Sequence, residues 1–377
     1  MSDINTINII PLEIGSIIDC TLTKGFENIL CNFSLQQKKD FIVLLDQFGI
    51  EYVELQNPNL SNDLLFEFKS LIEFKKTHNL SIKFIINVRN DIDDIQKITN
   101  INSIDDNSYI HLKINLDNIE SIDLKETIKN LSLIKPNINI HLSIKNAFQI
   151  HPNLISNIIS ETETYINTIC LEDSSGTATH YDVEGLLTII DIYNTSIECT
   201  FQNDSSSAVY NSYIALLNGC KYINTSVLGI GQKNGITDLS GLISRIYTIS
   251  KPSLHKYNLH LLKQIDDFVS KILNIYIPIN NPITGFSMYH NKNSYKQNQP
   301  IHNVLNSIDF NLENDINIIE FDNLKHFLYE NNVKLDDEYI KKLSYTLQDN
   351  INKNPKLYYT IYVNKKFALK YILKYIS

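Results

Sequence analysis

Charged and polar residues collect at a few points along the chain, each directly after a short run of β-branched or aromatic residues. The first group is Asp19, Thr23, Lys24 and Glu27, the second is Glu54, and the third is Arg89 with Asp91. His141, Ser143 and Lys145 follow, then Glu172, Asp173 and Ser174, and finally Glu198 with the quintet Thr200-Phe201-Gln202-Asn203-Asp204. Carboxylates, lysines and a histidine gathered at one mouth are the side chains that hold small acids or exchange protons. Metal chemistry is poorly provided for. No His-Glu-x-x-His or clustered spacing occurs among His78, His111, His151, His180, His255, His260, His302 and His326, which read as surface or capping residues. Asn203 and Asp204 offer two oxygens to a hard cation without a third donor, which favours hydrogen bonding. Lys24 could be a Schiff-base nucleophile if desolvated, but the simpler role is to neutralise Asp19, Glu54 or Glu198.

The elements that must position these residues are legible. Apolar runs recur at Ser16–Cys20, Glu51–Leu55, Ile82–Asn87, Tyr109–Ile114, Ile138–Ser143, Ile166–Leu171, Ser196–Phe201 and Lys221–Thr225. They start about 25 to 35 residues apart, the length of one strand, one helix and their loops. Between them lie helical faces such as Phe41, Leu44, Leu45 and Phe48, or Val183, Leu186, Leu187 and Ile190. Eight such units point to an α/β fold, a closed (β/α)8 TIM barrel. A doubly wound open sheet uses the same alternation. In a barrel the residues that close each strand face one mouth, which is where the polar groups fall. The rhythm stops near Ser250. Residues 1–250 are expected to form the barrel, and 251–377 a linker, a lid and a mostly helical C-terminal region for dimerisation. The lysines of the last helix, including Lys370 and Lys374, read as a solvated face.

Bulk properties exclude several classes. A net charge of -9 argues against a general nucleic-acid binder, because phosphate contacts need a positive field. The five cysteines are odd in number and scattered, which suits reduced core residues. No run approaches the roughly 20 apolar residues of a membrane span, and the first residues carry acids and no arginine, unlike a transit peptide.

The surroundings of the quintet resemble homocitrate synthase of the fungal type. Ile197-Glu198-Cys199 precedes it, and Val227-Leu228-Gly229-Ile230-Gly231-Gln232-Lys233-Asn234-Gly235-Ile236-Thr237 follows. Where that family carries His-x-His-Asn-Asp, this chain has Thr200 and Gln202 in the histidine positions. The stretch Asp19 to Glu27 is similar to the family's Asp-x-Thr-Leu-Arg-Glu-Gly-Glu-Gln. The resemblance implies that Thr23 replaces the arginine gripping the 2-oxoacid, Lys24 the carboxylate metal ligand and Glu27 the glutamine. Glu54 and Arg89 are retained, and Asp91 stands where a pocket histidine is expected. His141 and Lys145 take the places of a substrate-binding arginine and glutamate, Ser143 is kept, and Ser174 stands in for a threonine. Asn291 and Lys296 occupy the positions of the two lid histidines that complete a neighbouring subunit's acid/base set.

That family condenses acetyl coenzyme A with a 2-oxoacid on a divalent cation, and the resemblance places Lys24, Thr200 and Gln202 at its three ligand positions. Loss of Lewis-acid help removes several kcal/mol of transition-state stabilisation, at about 1.4 kcal/mol per tenfold in rate. The expectation is therefore a pseudoenzyme with a binding or regulatory role, needing no cofactor and no metal. Implied partners are a second copy or an active homocitrate synthase, and a small 2-oxoacid or acyl coenzyme A. Neither nucleic acid nor membrane is expected, and the location is cytoplasmic or nuclear. The alternative is a weak homocitrate synthase of lysine biosynthesis, condensing acetyl coenzyme A with 2-oxoglutarate through rearranged roles of Lys24, Glu54, Arg89 and Glu198, with a divalent metal.

Overall fold

The computed structural model describes residues 14–27, 33–99, 110–116, 124–132, 134, 138–190, 193–285, 288, 305–312, 319, 321–354, 357, 361 and 365–376. Eight parallel strands follow one another around a closed barrel: β1 (Ser16–Asp19), β2 (Tyr52–Leu55), β3 (Lys83–Arg89), β4 (Ile110–Leu116), β5 (Asn139–Lys145), β6 (Thr168–Asp173), β7 (Ser196–Phe201) and β8 (Tyr222–Thr225). Pairing of β1 with β8, Ile18 opposite Asn224, closes the ring and rules out the open sheet. Each predicted apolar run contributes a strand.

Local chemistry sets the helix limits. In α1 (Leu35–Phe48) the Ser34 hydroxyl accepts from Gln37 N while the Gln37 side chain accepts from Ser34 N, a reciprocal cap. The helix stops at Gly49, whose φ of 107° suits glycine and whose missing Cβ makes room for the Lys256 carbonyl. Phe41, Leu45 and Phe48 of the predicted face are buried against the barrel, joined by Ile42, while Leu44 is half-buried. The outer ring continues through α2 (Asn62–His78), α3 (Ile92–Thr99), α4 (Leu124–Ser132), α5 (Pro152–Thr162), α6 (His180–Ile190), α7 (Ala208–Leu217) and α8 (Leu239–Ser250).

The first compact unit runs to Thr284, beyond the boundary expected at 250. The reason lies in α9 (Leu262–Leu273): Phe268 stacks on Phe41 of α1, and Asp266 is wholly buried. One carboxylate oxygen of Asp266 accepts from Ser240 of α8 at 2.9 Å and also from Thr284, so the last residues of the unit are tied to its core. In the second unit, α10 (Phe321–Glu330), α11 (Asp337–Lys353) and α12 (Lys365–Leu373) bury Leu324, Leu328, Leu343, Leu347 and Ile372 in a core of their own. Asp336 caps α11 by accepting from Tyr339 N at 2.7 Å. No helix among the described residues is long and apolar enough to cross a membrane.

Burial, with the nearby charge of Asp238 adding to it, pushes the Asp266 carboxyl up to about 8. The folded protein thus keeps a proton there that the unfolded chain has lost, and stability falls as pH rises from about 4 to about 8. Asp266→Asn removes that loss. A thermal melt of the variant should gain about 3 °C or more over the parent at pH 8.5 and little at pH 5.

Candidate functional site

The strand ends of the barrel surround a cavity of about 590 Å³, within the size range of small-molecule sites. Its wall carries Thr23, Lys24 and Glu27 from the loop after β1, Glu54 from β2, and Asn87 and Arg89 from β3. Lys145 from β5, Glu172, Asp173 and Ser174 at the end of β6, and Thr200 and Gln202 at the end of β7 complete it.

Below this wall the barrel axis is charged. Lys113 of β4 is fully buried, with its ammonium 2.5 Å from Glu54 Oε2 and 2.5 Å from Glu198 Oε1. Burial alone would lower the lysine, but Glu198 and Glu54 outweigh it and hold it well above its ordinary range. The same balance works in reverse on the acids. Burial would raise Glu54, yet Lys113 and Lys24 hold it low, and Lys113 with His141 holds Glu198 lower still. Thr23 Oγ1 donates to Glu54 Oε1 at 2.6 Å, and Asn224 Nδ2 donates to Glu198 Oε1 at 2.8 Å and to Thr200. Each oxygen of the two acids therefore has at least one hydrogen-bond partner.

A file of hydrogen bonds leads away from Glu198 toward the other end of the barrel. His141 Nδ1 lies 2.6 Å from Glu198 Oε2, His141 Nε2 lies 2.9 Å from His111 Nδ1, and Asn139 Nδ2 lies 3.3 Å from His111 Nε2. Burial and the neighbouring His141 push His111 down to about 3, so it is neutral. Accepting from Asn139 at Nε2, it carries its hydrogen on Nδ1 and donates to His141, which in turn donates to Glu198.

At the cavity wall a second ion pair joins Lys24 to Glu172 Oε2 at 2.8 Å, and Ser143 Oγ donates to the other Glu172 oxygen at 2.8 Å. Burial would lower Lys24, but Glu172 first and Glu54 second raise it above its ordinary value, so it is an ammonium and not an amine nucleophile. Burial raises Glu27 against the pull of Lys24, and burial pushes Asp19 up to about 7 despite two hydrogen bonds from Thr21. Ser174 Oγ and Gln202 Oε1 are buried on this wall without a hydrogen-bond partner.

A family model described as HMGL-like matches residues 15–269, the whole barrel. The mitochondrial homocitrate synthase of Schizosaccharomyces pombe is 30% identical over 290 residues, covering 74% of this chain and 68% of that protein. This chain belongs to the HMGL-like family, on its homocitrate synthase branch. The mitochondrial homocitrate synthase of Saccharomyces cerevisiae is 27% identical over 351 residues, covering 87% of this chain and 78% of that protein. Among solved structures, the HMG-CoA lyase of Bacillus subtilis shares the fold with a TM-score of 0.57 at 15% identity, over 72% of this chain and 98% of that one.

Of the residues singled out for their homocitrate synthase positions, Thr23, Lys24, Glu27, Glu54, Arg89, Lys145, Ser174, Thr200 and Gln202 all line the cavity. His141, Ser143 and Glu198 lie buried beneath it, and support wall residues instead of facing a ligand. Asp91 does not reach the cavity. Its carboxylate accepts from Asp93 N and Asp94 N and caps α3, a role that its place just before an acidic first turn favours. Asn291 and Lys296 lie outside the described residues. Asp204 pairs with Lys233 at 3.1 Å and Asn203 accepts from Ala208 N at the start of α7, so both are committed to hydrogen bonding. Lys24 pairs with Glu172 and not with Asp19, Glu54 or Glu198, although Glu54 lies close enough to help hold its charge. Lys113 and Asn224 escaped sequence reasoning, and His111, read as a surface or capping residue, is instead buried inside the barrel between His141 and Asn139. The signal was present in β4, where His111 and Lys113 alternate with Leu112 and Ile114 in a strand whose outer face a helix must cover.

Replacing Lys113 by Met leaves Glu54 and Glu198 buried without a counter-ion, at a cost of about 3–5 kcal/mol. The melting temperature of the variant should fall by about 10 °C, and adding Glu54→Gln with Glu198→Gln should recover most of it. Both acids titrate below the unfolded value of 4.5, so their stabilisation is complete above that pH and lost as pH falls below it. An acid titration followed by circular dichroism should show that limb in the parent and not in the triple variant.

Proposed function

We propose that this homocitrate-synthase-like barrel does not run a metal-dependent condensation and acts by binding, as a pseudoenzyme. The observation that carries the reading is the Lys24–Glu172 ion pair, which fills the position of the carboxylate ligand while Thr200 and Gln202 stand for the two imidazoles. This donor set does not fit a divalent cation: an ammonium has no lone pair and repels it, and a hydroxyl and an amide are weak ligands beside imidazole. Lys24 and Lys113 together bring two positive charges to the region, in contact with the three carboxylates of Glu172, Glu54 and Glu198. Binding would then take one of two forms: a small acid or acyl thioester held without turnover, or pairing with a second copy or an active homocitrate synthase.

A second reading is favoured by relatedness, since the curated relatives at 27% and 30% identity are homocitrate synthases. In it the chain condenses acetyl coenzyme A with 2-oxoglutarate at a low rate, with Lys24, Arg89, Glu54 and Glu198 in rearranged roles. Coenzyme A release from acetyl coenzyme A and 2-oxoglutarate, with Mg, Mn or Zn present, separates the two. The first reading expects no release above the protein-free rate and no heat on titrating Mn into pure protein, whereas steady turnover overturns it. Lys24→Glu with Thr200→His and Gln202→His should introduce Mn binding detectable by calorimetry.

A further inference from the structure

Helix α7 is out of keeping with its place on the outer ring of the barrel. From Ala208 to Leu217 it holds no charged residue, whereas a helix with one face in water ordinarily carries charge on that face. A composition of this kind belongs between two packed surfaces. The inner surface is there, with Asn211, Ser212, Ala215 and Leu216 buried. The outer face is an apolar stripe at i, i+4 and i+7: Tyr210 is 44% exposed, Ile214 is half-buried and Leu217 is 49% exposed. Tyr181 of α6, 73% exposed, extends it beside His180, whose ring meets Tyr210 edge-on with centroids 5.7 Å apart.

Charge lies on the two flanks, with opposite sign. Helices α6 and α8 pack on either side of α7. On α8, the Arg245 guanidinium lies over Tyr213 and Tyr210, 4.7 and 5.7 Å from the ring centroids, and its Nε is buried without a hydrogen-bond partner. On α6, Glu184 stands exposed one turn after His180, on the side that meets Tyr210. Among the described residues neither Arg245 nor Glu184 has an ion-pair partner. A two-fold axis through α7 lays α6 of one copy against α8 of the other, so that the face is complementary to itself. Exposed tyrosines around a stacked arginine are the side chains that anchor protein interfaces. We propose that the α6, α7 and α8 face is where this chain pairs with a second copy of itself, α7 lying on the two-fold axis and each Arg245 meeting Glu184 of the other copy. The proposal deepens the pairing given above as one form of binding, and rests on it.

Sedimentation velocity of the full chain at micromolar concentration tests the face, and a dimer is expected. Tyr210→Glu with Leu217→Glu, both at exposed positions, should leave a monomer with the circular dichroism of the parent. Glu184→Arg sets like charges opposite each other and should weaken association about tenfold or more, and adding Arg245→Glu should restore it, a rescue that loss of folding does not give. A dimer that survives Tyr210→Glu with Leu217→Glu, or a charge reversal without rescue, overturns this face while pairing stands. A parent that stays monomeric overturns pairing with a second copy altogether, and if that monomer takes up purified homocitrate synthase through the same residues, the face belongs to that partner instead.

Discussion

A lysine ammonium wedged between two glutamates on the axis of a closed barrel is the constraint that the rest of the site obeys. Lys113 is out of contact with water, so its charge survives only because Glu54 and Glu198 stand 2.5 Å away on strands β2 and β7. Those acids in turn fix their neighbours. Glu54 draws in Thr23 at the mouth, and Glu198 draws in Asn224, which bridges to Thr200, and His141, which bridges to His111. Five strands, β2, β4, β5, β7 and β8, are thereby locked to one another through side chains as well as backbone. The mouth inherits their positions, because Thr23, Glu54 and Thr200 belong to both the axial network and the cavity wall.

The relation to homocitrate synthases is a relation of scaffold first. Closure of eight strands and the loop after β8 are kept. There Gly235 holds φ 78°, and a Cβ would strike the Gly229 carbonyl. What the resemblance implies to differ is the sign of charge at the positions of the family's metal ligands. A carboxylate and two imidazoles attract a dication, while Lys24 with Thr200 and Gln202 presents a cation of its own, held by Glu172. The barrel tolerates the exchange because strand ends sit on a rigid frame whose folding does not depend on what the mouth binds.

The eight strands were legible because β-branched runs recur at the length of a strand–helix unit, and the α1 face was legible from Phe41, Leu45 and Phe48. Closure was not, since open and closed sheets share that alternation and only the pairing of Ile18 with Asn224 decides. Residues at strand ends were placed at the cavity correctly, Lys24 and Gln202 among them, because position along a barrel strand dictates which end a side chain faces. Depth within the barrel was hidden. His141 and Glu198 read as wall residues but lie below the wall, and Lys113 was overlooked because a lysine in a strand ordinarily marks the solvent side. Asp91 was misplaced by the family pattern, while its local sequence spells a helix cap.

The file from Asn139 through His111 and His141 to Glu198 has an arrow in it. Asn139 donates first, and each imidazole accepts from behind and donates toward the acid, so reversing any one link would set two hydrogens or two lone pairs face to face. The two imidazoles consequently cannot choose their tautomers independently: the amide at one end and the carboxylate at the other choose for both. Such a row behaves as a single polar rod threaded through the barrel, its negative tip fixed beside Lys113, and the electrostatics of the mouth are set in part from the opposite face of the protein.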